Sequence, residues 1–169
     1  MVNLLKGGDS VFYPFHGTGT IESKEYMRDK EYFKIFFPYK KLHVFIPSQS
    51  ENQNGLRPII SSEQLELVKL DFYENGVPLP SSVSERSKVL DNKMKSGTTL
   101  EISQILRDLL HFHTSEGRLS QSDKKIFKNA EEFLIEEIQV IKDISYDQAS
   151  VDVKNLVKNR FKIDVPAFK

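Results

Sequence analysis

Through the first third of the chain, apolar residues fall at every second position or in short dense runs, and polar turn-formers separate them. That pattern predicts strands at Val11-Phe12-Tyr13, Thr20-Ile21-Glu22, Tyr32-Phe33-Lys34-Ile35-Phe36-Phe37 and Leu42-His43-Val44-Phe45-Ile46, ending by about Asn54. Gly8-Asp9 turns into the first strand, and Pro14 ends its pairing for want of an N–H. Gly17 and Gly19 then allow a sharp reversal. In the last strand Leu42, Val44 and Ile46 share one face, while His43 and Phe45 share the other. If the first set fills the core, Phe45 points outward to a partner, or else packs beneath the linker or the helical region.

From Ser61 the spacing of apolar residues changes to three and four. Capping-box signals mark helix starts at Ser61 with Gln64, Ser82 with Glu85, Thr98 with Glu101, and Ser120 with Asp123. The last is the weaker variant, because Asp is shorter than Glu. Gly76, Gly97 and Gly117 stand where the preceding helices should stop. Ile102, Ile105, Leu106 and Leu109 form one stripe; Ile126, Ala130, Phe133, Leu134, Ile138 and Ile141 form a second. Those two helices should pack together through the Gly117 turn, and a shorter helix should follow Tyr146. Val77-Pro78-Leu79-Pro80-Ser81 reads as a stiff joint.

The expected fold class is therefore α+β with two domains: a small N-terminal β-barrel over 1–55 and an all-α helical domain over 59–169. A chain of 169 residues has room for two such units. The 24 Lys and Arg balance 24 Asp and Glu, so no global field draws the chain to nucleic acid. There are no cysteines, which excludes a disulfide scaffold and thiolate-bound zinc. No apolar run is long enough for a bilayer and the first residues lack a secretory core, so a cytoplasmic protein is expected.

Catalytic chemistry finds little support. No phosphate loop, nucleophile elbow, metal-binding helix or dinucleotide fingerprint occurs. His111 and His113, two apart on a helix, diverge by about 200 degrees and do not share an ion easily. His16 suits capping or packing in the Pro14-Phe15-His16-Gly17 turn. No catalytic residue, metal, cofactor, small-molecule substrate or membrane partner is expected.

Charge is segregated locally. Arg86, Lys88, Lys93 and Lys95 outnumber Glu85 and Asp91 near one helix start, and Arg118, Lys124, Lys125 and Lys128 face Asp123 alone near another. Acidic residues gather at Glu131-Glu132, Glu136-Glu137 and the last helix. The arrangement fits a positive face for phosphates with a negative face toward water, and equally fits ordinary solvated helix faces.

The segment Lys6-Gly7-Gly8-Asp9-Ser10-Val11-Phe12-Tyr13-Pro14-Phe15-His16-Gly17-Thr18-Gly19 is followed in order by Ile46-Pro47, Gly55-Leu56-Arg57-Pro58-Ile59-Ile60, Arg107-Asp108-Leu109 and Leu119-Ser120. This series resembles the CarD family, also called CdnL, of bacterial transcription regulators. The resemblance implies a Tudor-like or SH3-like barrel that binds the RNA polymerase β subunit. It also implies a helical domain lying against promoter DNA beside the melted region, where a tryptophan wedges into the minor groove and stabilises the open complex. On the spacing of Pro80-Ser81-Ser82-Val83-Ser84-Glu85-Arg86-Ser87-Lys88, the wedge position falls on Val83, and Arg86 and Lys88 match basic DNA-contacting positions. The chain has no tryptophan, and valine offers far less surface for replacing base stacking.

Candidate DNA contacts are thus Val83, Arg86, Lys88, Lys93, Lys124, Lys125 and Lys128. Candidate polymerase contacts are Tyr26, Met27, Arg28, His43 and Phe45. Phe45 occupies a position that often carries a basic residue in the family, so an apolar anchor with Tyr26 or Met27 is expected there. The alternative is a protein-interaction module that binds a protein partner and never meets DNA. A sequence-specific repressor would need a recognition helix and usually dimer symmetry, which nothing in the sequence specifies.

Overall fold

The computed structural model describes residues 5–50 and 55–168. Asn54, where the strand signals stop, lies outside the described residues. The chain divides into two compact units between Ile59 and Ile60.

The first unit is an antiparallel sheet of β1 (Ser10–Tyr13), β2 (Gly17–Met27), β3 (Lys30–Phe37), β4 (Leu42–Pro47) and the two-residue β5 (Arg57–Pro58), in the order β4-β3-β2-β1-β5. A single 3-10 turn, Ser48–Ser50, follows β4. Leu5, Val11, Ile21, Phe33, Ile35, Phe37, Ile46 and Leu56 form its buried core, with Tyr13, Leu42 and Val44 packed against them. The compact unit thus runs past residue 55, since Leu56 packs in that core and β5 pairs with β1. This is the β domain of the α+β fold.

Two turns set the register. Gly17 (φ 90°) and Phe15 (φ 66°) carry the reversal between β1 and β2, and His16 stacks on Tyr13 with ring centroids 5.0 Å apart. Arg28 (φ 51°) and Asp29 (φ 64°) form the two-residue hairpin between β2 and β3, both in the left-handed region that such a turn requires. Gly19 plays a different part from the one its sequence position suggests. It lies within β2, where a Cβ would come within 2.8 Å of the Phe36 carbonyl oxygen and of the Phe37 ring. The missing side chain makes room for Phe37, and Gly17 alone of the two supplies the turn.

The second unit contains α1 (Ser62–Phe72), α2 (Val83–Ser96), α3 (Thr99–Ser115), α4 (Gln121–Lys142) and α5 (Tyr146–Phe161). At Ser61 and Ser120 both halves of a capping box are present; at Ser82 and Thr98 only the hydroxyl half forms. Asp123 thus completes its box in spite of its shorter side chain. Ser145 with Gln148 forms another, at the start of α5. Gly97 (φ 69°) caps α2, and the Gly117 N–H donates to the Phe112 carbonyl at the end of α3.

Gly76 does not cap α1, whose cap is Tyr73. It lets the backbone pass close to α3, since a Cβ there would meet Asp108 Oδ1 at 2.8 Å. Ile102, Ile105, Leu106 and Leu109 are buried on α3, and Ala130, Phe133, Leu134 and Ile138 on α4. The two helices pack together, α5 packs on α4, α1 on α3, and α2 on both α3 and α4.

Candidate nucleic-acid and polymerase surfaces

The two basic segments that lie far apart in sequence meet at one place in the helical unit. Arg86 leaves the first turn of α2 and donates from Nε to Asp123 Oδ1 (3.0 Å) and from a terminal nitrogen to Asp123 Oδ2 (2.7 Å). Its other terminal nitrogen donates to the carbonyls of Pro80 and Ser81, each at 3.0 Å, and its guanidinium lies 4.4 Å from the centroid of the Phe112 ring. Asp123 Oδ2 also accepts from the Ser120 N–H at 2.8 Å, closing the α4 capping box. Burial works to raise the Asp123 carboxyl, but hydrogen bonds from Arg86 and Ser120 outweigh it and hold the group below its ordinary value.

One carboxylate therefore fixes a helix start, a second helix and the joint before it. The Ser87 and Ser122 hydroxyls approach within 3.3 Å, so the first turns of α2 and α4 stand side by side.

This arrangement corrects the expectation for Arg86. Only 2% exposed and bonded on both edges, the guanidinium has no free donor face for a phosphate. Lys93 is also committed: its Nζ donates to Gln104 Oε1 at 2.8 Å and lies 3.8 Å from Asp108 Oδ2. That contact belongs to a polar network in which Arg107 bonds Asp108 (2.9 Å) and the Asp71 carboxylate (3.1 Å), tying α3 to the end of α1. Glu136 and Glu137 are buried and do not form a negative outer face. Glu137 accepts from the Thr99 hydroxyl at 2.7 Å and from the Ile60 N–H at 3.3 Å.

Val83, at the first position of α2, is 47% exposed; Lys88, Lys125 and Lys128 are exposed, and Lys124 is half-buried. Phe168, not singled out from sequence, lies edge-on to Phe127 with centroids 5.2 Å apart, next to Lys124. Its position in an irregular segment carries no periodic signal. His113 also meets Phe168 edge-on, at 5.9 Å.

In the strand unit, register sorts the other candidates by face. Phe45 pairs with Lys34, His43 with Phe36, and Met27 with Lys30. Alternation along the pleat puts these residues and Tyr32 on the outward side, opposite Ile35 and Val44. Phe45 is 41% exposed, and the His43 ring lies 4.9 Å from the Phe36 ring while its Nε2 contacts Glu22 Oε1 at 2.8 Å.

Tyr26 falls on the other side. Its hydroxyl donates to Glu31 at 2.8 Å, a bond that holds the phenol above and the carboxyl below its ordinary value. The expected anchor of Phe45 with Tyr26 therefore does not form. Nor does Met27 adjoin Phe45, because their partners Lys30 and Lys34 stand four positions apart on β3. Arg28 is exposed at the hairpin tip.

Among the described residues, no group of three or more His, Cys, Asp and Glu is placed to hold a metal ion, and no helix is long and apolar enough to cross a membrane.

Residues 72–154 match the family model described as CarD, C-terminal domain, and residues 5–60 match that described as CarD-like/TRCF RID domain. The chain belongs to the CarD family. It is also 32% identical over 145 residues to YdeB of Bacillus subtilis (strain 168), whose name marks it as a candidate transcription factor; the alignment covers 83% of this chain and 94% of that protein. Membership places the chain among CarD-like transcription regulators. The strand unit is the Tudor-like member of the CarD pair, and the five helices follow it.

Proposed function

We propose that the strand unit docks on the β subunit of RNA polymerase and that the helical unit contacts promoter DNA near the site of melting, changing the lifetime of the open complex. The polymerase half is supported by the match of residues 5–60 to the RID domain, a domain that mediates RNA polymerase interaction. On the sheet, the outward residues Phe45, His43, Lys34 and Tyr32 offer an aromatic and basic surface of the kind that anchors interfaces.

For the DNA half, the carrying observation is the Arg86–Asp123 clamp. It sets exposed Val83 and the start of α4, with Lys124, Lys125 and Lys128, side by side. In this reading Val83, Lys88 and the three α4 lysines face DNA, while Arg86 and Lys93 position the helices that carry them. Few phosphates are neutralised, so DNA binding by the chain alone is weak and falls with salt. Attachment to polymerase raises the local concentration enough for such contacts to act.

The test uses the full chain. Phe45→Asp should weaken binding to core polymerase at least tenfold, about 1.4 kcal/mol. Lys125→Glu with Lys128→Glu should leave that binding intact and alter open-complex lifetime. Unchanged polymerase affinity in the first variant removes the sheet assignment; unchanged lifetimes in the second remove the DNA assignment.

The second reading, a protein-interaction module without DNA contact, draws on exposed Leu67, Leu70, Tyr73 and Val77 in and after α1. A salt-dependent footprint of the chain on a polymerase-promoter complex decides against it.

A further inference from the structure

A cavity of about 200 Å³ opens beside the first turns of α4, lined by Gln121, Lys124, Lys125, Lys128 and Phe168. Three lysines line it, and among the described residues no carboxylate pairs with any of them. Asp123, the acid beside them in sequence, is turned away into its bonds with Arg86. Lys124 and Lys128 stand four apart on one helix, a like-charge spacing that costs stability unless an anion lies between.

Phe168 forms the apolar wall. It is wedged edge-on against buried Phe127 and against His113, and the Lys124 ammonium lies 5.8 Å from its ring centroid. That contact restrains a side chain that would otherwise range freely. Two of the amides at the start of α4, those of Ser120 and Asp123, are taken up by the capping box, and the lining of the cavity supplies side-chain amines.

Size narrows the ligand. Pockets for drug-sized molecules run to about 300–1,000 Å³, so this smaller, open one suits a group the size of a phosphate or pyrophosphate.

We propose that this cavity is a phosphoanion site, with Lys124, Lys125 and Lys128 as donors and Phe168 of the C-terminal tail as its wall. The group it receives comes either from a nucleic-acid backbone, which rests on the DNA reading above, or from a free phosphoanion, which does not. Phe168 is then part of the site and not merely a tether for the chain end.

The experiment titrates the full chain with inorganic pyrophosphate, and separately with a short DNA duplex, at matched ionic strength. Amide resonances of residues 121–128 and the ring signals of Phe168 are followed. Lys124→Gln with Lys128→Gln should weaken saturable binding by about tenfold or more, and Phe168→Ala by roughly threefold. Lys158→Gln, which removes an exposed charge from α5, should leave it unchanged.

Saturable pyrophosphate binding with this ranking supports a free-anion site. Shifts produced by duplex alone, and lost in the double lysine variant, support the same site filled by a backbone phosphate. If pyrophosphate binds as expected and the duplex does not, the site stands and the DNA reading fails. If neither ligand moves these resonances, or if Lys158→Gln weakens binding as much as the double variant does, the proposal is overturned.

Discussion

The two units solve the problem of burial with different chemistry. The core of the strand unit is hydrocarbon and aromatic throughout, and its charges stay at the surface. Among the described residues, every buried charged side chain lies in the helical unit: Arg86, Arg107, Asp108, Asp123, Glu136 and Glu137. Burying a charge is costly unless its bonds are complete, and a nearly complete set gives a buried pair strong directional demands. The strand unit is thus specified mainly by shape and register. The helical unit is specified also by a few bonds that hold α2 to α4 and α3 to α1.

Breaking the clamp should give the largest effect. Asp123→Ala leaves Arg86 charged and unpaired and removes the α4 capping box, and should cost about 3–5 kcal/mol in urea denaturation. Amide exchange should show the loss in the helices, with β2 and β3 keeping their protection. Arg86→Met combined with Asp123→Leu should recover part of it by removing the unpaired buried charge, while the Ser120 N–H and the Pro80 and Ser81 carbonyls still lose their partners. A loss spread equally over strands and helices would erase the contrast between the units.

Acid should sample the same bond less severely. The folded Asp123 carboxyl sits below its ordinary 3.8. Its contribution is therefore full at neutral pH and is lost as pH falls through 3.8 toward the folded value. Glu131, raised mainly by burial, contributes with opposite sign: its share is present in acid and lost as pH rises through its folded value. Comparing wild type with Asp123→Asn isolates the Asp123 contribution, and the acid-side decline of the helical unit should be shallower in the variant. Equal slopes would detach Asp123 from acid sensitivity.

The same substitution in both units sharpens the comparison. Gly19→Ala presses on the Phe36 carbonyl and the Phe37 ring, and Gly76→Ala on the Asp108 carboxylate. Each should cost about 1–3 kcal/mol by overpacking. Only Gly76→Ala should also disturb the Arg107 side-chain N–H signals, since Asp108 accepts from Arg107. The smallest effect belongs to the surface pair His43–Glu22, where both side chains are well exposed. His43→Ala should change stability by less than about 1 kcal/mol, and a larger loss by thermal melting would mean that the outward face helps to hold the sheet.

Much of this architecture was legible because it is local. Alternation in β4 separated outward Phe45 from inward Val44, and three-and-four spacing marked the buried stripe on α3. Gly97 and Gly117 marked helix ends by backbone freedom alone. The Ser145–Gln148 box carries the same four-residue signature as the one at Ser61, so α5 had a readable start.

What stayed hidden depends on partners distant in sequence. Arg86 and Lys88 look alike as basic residues on one helix, yet only Arg86 meets a carboxylate 37 positions away. Glu137 likewise reads as solvent-facing until Thr99, 38 positions earlier, is seen to donate to it. Gly76 shows the same limit from the backbone side: nothing near it in sequence tells that Asp108 passes within reach of a methyl group.

The sheet also ends unequally on its two sides. β5 contributes just Arg57 and Pro58, and a proline nitrogen has no hydrogen to offer. β4, at the other end of the strand order, keeps a six-residue margin long enough to receive another extended peptide. Growth by strand addition is therefore one-directional, which favours a single foreign ribbon at that margin over end-to-end polymerisation of the sheet.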